Sequence, residues 1–410
     1  MLAILKDGQP VPVAEAPADV DIVLDQTPFW AEQGGQQADH GTISVAGGGM
    51  LEVDDVQMPV KGLFVHRARL TEGSVALDDA VHSQIDVDRR EQIARAHTST
   101  HMVHQVLRET LGDQATQAGS ENSPSALRFD FRHGAQVPAQ QMHEIEAEVN
   151  AKLQDNLEVT DQIMSLDEAR KLGAQALFGE KYGNEVRVVS IGGPWSRELC
   201  AGTHVNVTGE IGLVTLLGES SIGSGIRRVE ALVGRGAYAE GAKERALLNQ
   251  LTGKLRVRPE ELPEHVDSLL SKIKNAEKEL ATLRREKLTS SLGMLAENRR
   301  DINGISVIAH DFGSEADTNE ARQMAIQLRE RLGGDPGVVA VTAVAKGRPS
   351  VVVATNEAAR DRGVKAGALV SVAAKILGGG GGGKDDMAQG GGTDASKVSD
   401  ALAAIVNQIG

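Results

Sequence analysis

Two short stretches about a hundred residues apart constrain this chain more than any other feature. One is His97-Thr98-Ser99-Thr100-His101 and the other is Cys200-Ala201-Gly202-Thr203-His204. Each holds two metal-ligating residue types four positions apart, and Cys200 is the only cysteine. A His-x-x-x-His pair alone is weak in a chain with 11 histidines. A satisfied or exposed surface histidine is the bland reading of each, and His104 shares the helical face of His97 and His101. A sole cysteine four before a histidine is far rarer. Three imidazoles and one thiolate form a sound Zn²⁺ set. We therefore expect His97, His101, Cys200 and His204 to converge on one Zn²⁺. Any fold must then bring residues 97–101 against residues 200–204. Four protein donors favour a closed, structural site. The interleaved hydroxyls of Thr98, Ser99, Thr100 and Thr203, with Gln117 nearby, instead suit recognition of a small polar group.

At 410 residues there is room for two to four domains. No apolar run approaches the length of a membrane span, and the first residues have the wrong flanks for a signal peptide. One cysteine excludes an internal disulfide framework, and a cytoplasmic location is expected. The net charge of −14 argues against a simple nucleic-acid binder. The charge is uneven, however: residues 1–239 carry 19 Lys and Arg against 34 Asp and Glu, while residues 240–300 carry 13 against 10. A polyanion should prefer the second half. Aromatics are only 2%, so base stacking is scarce and backbone or shape recognition is favoured.

Four regions follow, giving an α+β multidomain chain. Residues 1–88 alternate short β-prone runs with Gly, Pro and Asp, which predicts a small β-barrel or sandwich. Within them, Thr27 to Gly41 reads as a loop, either a turn against the core or a segment that touches a ligand. Residues 89–238 form an α/β zinc-containing core. A helix runs from Asp88 to Leu111, where Gly112 stops it. A loop spans Gln117 to Pro124, and an alternating strand begins at Leu127. A helix is expected over Val137–Leu157, and Ser165 caps another. Residues 239–300 form a helical hairpin arm, with Val266, Leu269, Ile273, Ala276, Leu280 and Leu283 in heptad spacing until Lys287 breaks the register. Residues 301–410 form a C-terminal α/β domain.

That last domain contains six consecutive glycines, Gly378 to Gly383, before Lys384. Asp385 stands where a P-loop needs Ser or Thr, so that reading fails. A flexible linker and a backbone cradle for phosphates both remain open.

Together these motifs resemble the C-terminal half of alanyl-tRNA synthetase. Asp25 to Gln36 resembles the start of that family's editing region, and the two ligand pairs resemble its zinc motif. Gln117-x-Gly119-Ser120, Leu127 to Phe131 and Arg227-Arg-Val-Glu-Ala231 also match in order. The arm and Gly378–Thr393 resemble its C-terminal domain, which is shared with DHH-type phosphoesterases. Ala201, Glu121 and Asn122 depart from the family's pattern, and no part of the chain matches its ATP and alanine sites. The resemblance implies hydrolysis of serine or glycine from mischarged alanine tRNA, without alanine activation. Thr100 and Gln117 would contact the amino acid or the terminal ribose, and Cys200 would be a thiolate ligand. Alanine tRNA is the implied partner, with a homodimer through the C-terminal domain. A different class remains open: a non-catalytic tRNA-binding and dimerisation module with structural zinc.

Overall fold

A computed structural model describes residues 1–176 and 183–410. Two compact units result, Met1–Leu255 and Arg256–Gly410.

The first unit opens with nine strands: β1 (Ala3–Lys6), β2 (Gln9–Pro10), β3 (Val13–Glu15), β4 (Ala18–Val23), β5 (Gly41–Val45), β6 (Met50–Val60), β7 (Leu63–Glu72), β8 (Ser74–Ala76) and β9 (Val81–Ile85). Seven form one antiparallel sheet in the order β2-β1-β4-β7-β6-β5-β9, and β3 pairs with β8 in a separate ribbon. Alternation sets the inner face. In β4, Ala18, Val20 and Ile22 are buried between Asp19, Asp21 and Val23. Register shifts along β6–β7 bend this sheet, as bulges do. It does not close, which corrects the expected barrel. The edge strand β2 is two residues long, and its second residue is Pro10, which has no N–H to donate.

The chain continues through α1 (Val87–Leu111), β10 (Gln117–Ser123), β11 (Ala126–Arg132), α2 (Ala139–Gln154), β12 (Val159–Ser165), α3 (Leu166–Lys171), β13 (Glu185–Ile191), β14 (Ser196–Leu199), β15 (Val214–Gly223), β16 (Ile226–Val233) and α4 (Arg235–Leu255). Asp86 caps α1 by accepting the Arg89 N–H, and Gly112 ends it. Ser165 caps α3 in a capping box with Glu168. Helices α1 and α2 share an apolar core with the sheet β10-β11-β16-β15, centred on Phe129, Phe131, Val103 and Val149. The sheet β12-β13-β14 forms beside α3 over Val186, Val188 and Leu199. Gln117–Ser123, expected as a loop, is a strand. Its sequence is polar, but β11 supplies a partner from Gln117↔Phe131 to Ser123↔Ala126, with a bulge between Gln117 and Gly119.

The second unit holds α5 (Leu262–Glu297), β17 (Arg300–Ile302), β18 (Ile305–Asp311), α6 (Thr318–Arg331), β19 (Gly337–Ala345), β20 (Arg348–Thr355), α7 (Glu357–Asp361), α8 (Ala366–Ile376), β21 (Gly380–Gly383), β22 (Met387–Gly391) and α9 (Val398–Ile409). The sheet order is β17-β18-β19-β20-β22-β21, with β18–β19 parallel around α6 and the other pairs antiparallel. The heptad break at Lys287 has a physical cause. Leu288 and Leu292 turn into the core with Met324 and Leu328, whereas Leu270, Ile273, Leu280 and Leu283 are exposed.

The glycine run is neither a linker nor an open loop. Its last four residues are the edge strand β21, and at Gly381 the neighbouring β22 and α8 leave no room for a side chain. A Cβ on Gly381 would sit 2.5 Å from Gly390 Cα and 2.7 Å from Val370 Cγ1. Among the described residues no helix is long and apolar enough to cross a membrane.

Candidate metal centre

Helix α1 and the loop after β14 bring the two expected pairs together. The ligand atoms of His97, His101, Cys200 and His204 all lie within 4.8 Å of one another. The spacing on α1 puts the His97 and His101 rings in a stack, 5.1 Å between centroids. Arg187 on β13 holds the other pair in place by donating to the backbone oxygens of Cys200 and Gly202.

Each imidazole is oriented by a partner at Nδ1. Gln36 Oε1 can only accept, so His97 donates Nδ1–H to it at 2.9 Å. The same oxygen accepts the Thr203 N–H, while Gln36 Nε2 donates to Thr203 Oγ1. Thr98 spends its hydroxyl proton on Ala94 O, so His204 Nδ1–H donates to Thr98 Oγ1 at 3.1 Å. Glu198 accepts from His101 Nδ1 at 2.5 Å and from His104 Nδ1 at 2.8 Å. These tautomers aim Nε2 of all three ligand-type histidines inward. This is the usual way a metal-binding histidine is held.

The donor set fits Zn²⁺. Tetrahedral geometry with one sulfur and three nitrogens separates neighbouring donors by about 3.3–3.7 Å. Cys200 Sγ lies 3.3 Å from both His97 Nε2 and His204 Nε2. His101 Nε2 is buried without a hydrogen-bond partner, as a nitrogen reserved for a cation would be.

Electrostatics favour ligation at Cys200 and His204, while His101 without a cation holds a proton that a metal would have to displace. Burial works against a charged Cys200, but His97, His101 and His204 hold its thiol pKa well below the ordinary range. Burial likewise works against Glu198, yet His101 and His104 keep its carboxyl well below the usual carboxylate range. At His101, burial opposes charge, but Glu198 and Cys200 push its pKa up to about 10. Burial and the neighbouring His97 push His204 down to about 3, leaving its Nε2 lone pair free.

A cavity of about 170 Å³ opens beside the cluster, lined by His97, His101, Cys200, Thr100 and Gln117 among others. Thr100 and Gln117 thus share one chamber with three of the four donors. Ala201, an exposed residue, also lines it. His104 lies outside the donor group, with its ring against Phe129 at 5.1 Å.

Two contributors escaped the reading of the sequence. Glu198 sits two residues before Cys200 at the end of a strand, a spacing that returns to the same face and could have flagged it. Gln36 lies in the amide-rich loop, with nothing local to link it to His97. Gly202 is required where it stands, since a Cβ there would meet His97 Cε1 at 2.2 Å and Gln36 Oε1 at 2.6 Å.

Comparison with known proteins gives three family matches. Residues 186–230 match the threonyl and alanyl tRNA synthetase second additional domain. Residues 1–89 match tRNA synthetases class II (A), and residues 304–410 match the DHHA1 domain. The chain is 52% identical over 408 residues to the alanine–tRNA ligase of Kineococcus radiotolerans, covering 99% of this chain and 46% of that protein. To the alanine–tRNA ligase of Thermobifida fusca it is 49% identical over 410 residues, covering 100% of this chain and 46% of that protein. The chain therefore spans about half the length of the curated relatives it matches. Among solved structures, the C-Ala domain of Aquifex aeolicus alanyl-tRNA synthetase matches at 26% identity, covering 27% of this chain and 97% of that one, with a TM-score of 0.25.

Proposed function

The chain belongs to the alanine–tRNA ligase family, and on that premise we propose that it hydrolyses the ester joining serine or glycine to the 3′ end of alanine tRNA. The supporting observation is the buried His97–His101–Cys200–His204 cluster, which opens on a small chamber containing Thr100 and Gln117. A pocket built for alanine cannot exclude the smaller glycine, and an added hydroxyl costs too little to reject serine well. A second, hydrolytic sieve answers both problems.

In this reading His97, His101, Cys200 and His204 hold Zn²⁺, which supplies Lewis acidity and positive charge at the ester. Gln36, Glu198 and Thr98 keep the three rings in the tautomers that ligation needs. Thr100 and Gln117 position the aminoacyl group or the terminal ribose. Cys200 acts as a ligand and not as a nucleophile, because its sulfur is already committed to the histidine nitrogens. Alanine tRNA is the partner, the second unit grips it by shape and backbone, and two copies associate through that unit in the cytoplasm.

The test is deacylation of seryl-tRNA by the purified chain, with metal analysis of the same sample. Replacing both His97 and Cys200 by alanine is expected to remove the metal and lower deacylation by more than about a hundredfold, while tRNA binding persists. Full deacylation in that variant would sink the zinc role. One observation favours a second reading: four protein donors leave a tetrahedral ion no open position. A non-catalytic tRNA-binding and dimerisation module with structural zinc would bind one metal per chain and leave mischarged tRNA intact.

A further inference from the structure

The Thr100 hydroxyl has one proton and two acceptors in reach. Ala96 O lies at 3.1 Å, one helical turn back, and Asn122 Oδ1 lies at 2.5 Å. The shorter contact takes the proton. Thr100 then offers the chamber it lines only lone-pair density: an acceptor with no proton to give.

Asn122 is held so that it cannot easily turn away. It is fully buried. Its N–H donates to Gly35 O at 2.7 Å, and its C=O accepts the Gln37 N–H at 3.1 Å. Its backbone is therefore tied to the turn that carries Gln36. Its Nδ2 is buried with no partner, an unfavourable arrangement that accompanies the contact on the oxygen side of the amide. A leucine or valine would fill the same space without that penalty, so packing alone does not account for an amide here.

We infer that Asn122 is a specificity-determining residue: by taking the Thr100 proton it turns one wall of the chamber into an obligate hydrogen-bond acceptor, matched to an aminoacyl group whose side chain donates a hydroxyl. The inference rests on the editing reading and deepens it. A seryl ester brings an O–H to that wall. An alanyl ester brings a methyl, which would bury the Thr100 oxygen unpaired, and a site built around a substrate hydroxyl rejects an analogue lacking it. A glycyl ester brings no side chain to this wall. Asn122 does not touch the reacting ester, and its effect is transmitted through Thr100.

The experiment compares seryl-, glycyl- and alanyl-tRNA deacylation by the full chain and by four variants, with metal content measured throughout. Asn122→Leu is expected to lower the seryl-to-glycyl ratio of kcat/KM on the order of tenfold, the value of one lost hydrogen bond, with metal retained. Asn122→Asp keeps an acceptor facing Thr100 and is expected to preserve the ratio. In a Thr100→Val background, Asn122→Leu should add nothing further. An equal fall on both esters with metal retained overturns the inference, because it would mark Asn122 as merely structural. So does an Asp variant that behaves like Leu. Should Asn122→Leu fail to fold, Asn122→Ala takes its place. Binding of non-hydrolysable seryl- and glycyl-amide analogues of adenosine reads the same preference without turnover. If the chain hydrolyses neither ester yet prefers the seryl analogue through Asn122, the editing reading falls and the acceptor wall stands. Equal binding of both analogues by the unmodified chain overturns the acceptor wall.

Discussion

Helix α1 in the first unit and the strand pair β19–β20 in the second both lie in the cores of their units, and they bury opposite things. The strands bury Val338 to Val341 and Val351 to Ala354, with Thr342, Ser350 and Thr355 as polar exceptions. The helix buries His97, Thr98, Ser99, Thr100, His101 and His104 within two turns. Apolar burial is non-directional, so the strand pair tolerates any filling of the right volume. Polar burial is directional. Thr98 and Ser99 each return a hydroxyl proton to the helix carbonyl four residues back, Thr100 gives its proton to Asn122, and each histidine needs an outside partner. The polar core is therefore specified by residues distant in sequence, and the apolar core by continuous apolar runs within the strands.

The contrast can be tested by asking whether each core responds only to its own kind of damage. The largest effect is expected at Glu198. Glu198→Gln leaves one acceptor for two imidazole N–H groups and turns an NH₂ donor against the other. Metal affinity should fall by about 10- to 100-fold in a chelator competition, while α-helical content is retained. An unchanged affinity would break the link between the polar core and the donor set. Next comes Gly202→Ala, whose new methyl must push His97 or Gln36 aside. Overpacking of this kind costs about 1–3 kcal/mol, and both metal affinity and the first unit's melting temperature should drop. The smallest local consequence is expected from Val352→Ala on β20, a fully buried side chain. It should destabilise the second unit by roughly 1–2 kcal/mol in denaturant unfolding and leave metal affinity unchanged. A change in affinity there would show that the two cores are not energetically separate.

What could be read directly from the residues follows the same division. The i, i+4 pairs pointed to four side chains that the fold does bring together, because residue type and helical period carry that information locally. The cap at Ser165 and the stop at Gly112 are local in the same sense. The open sheet was not legible, since closure depends on whether the first and last strands meet. Gln117–Ser123 was missed because its pairing partner, not its polarity, makes it a strand. The strand β21 was missed for a related reason: at Gly381 the constraint is the approach of β22 and α8, which no neighbouring residue reports. Glu198 and Gln36 were unassigned because each acts on a histidine far away in the chain.

The Gln36 amide has a further consequence for how the chain folds. It bonds to Thr203 across 167 positions and to His97 across 61. Contacts of such span close late, since loop-closure entropy opposes them until the segments at both ends are already structured. In many small zinc-dependent domains the ion nucleates the fold. Here hydrogen bonds to Gln36, Thr98 and Glu198 already turn three imidazoles toward the place a cation would take.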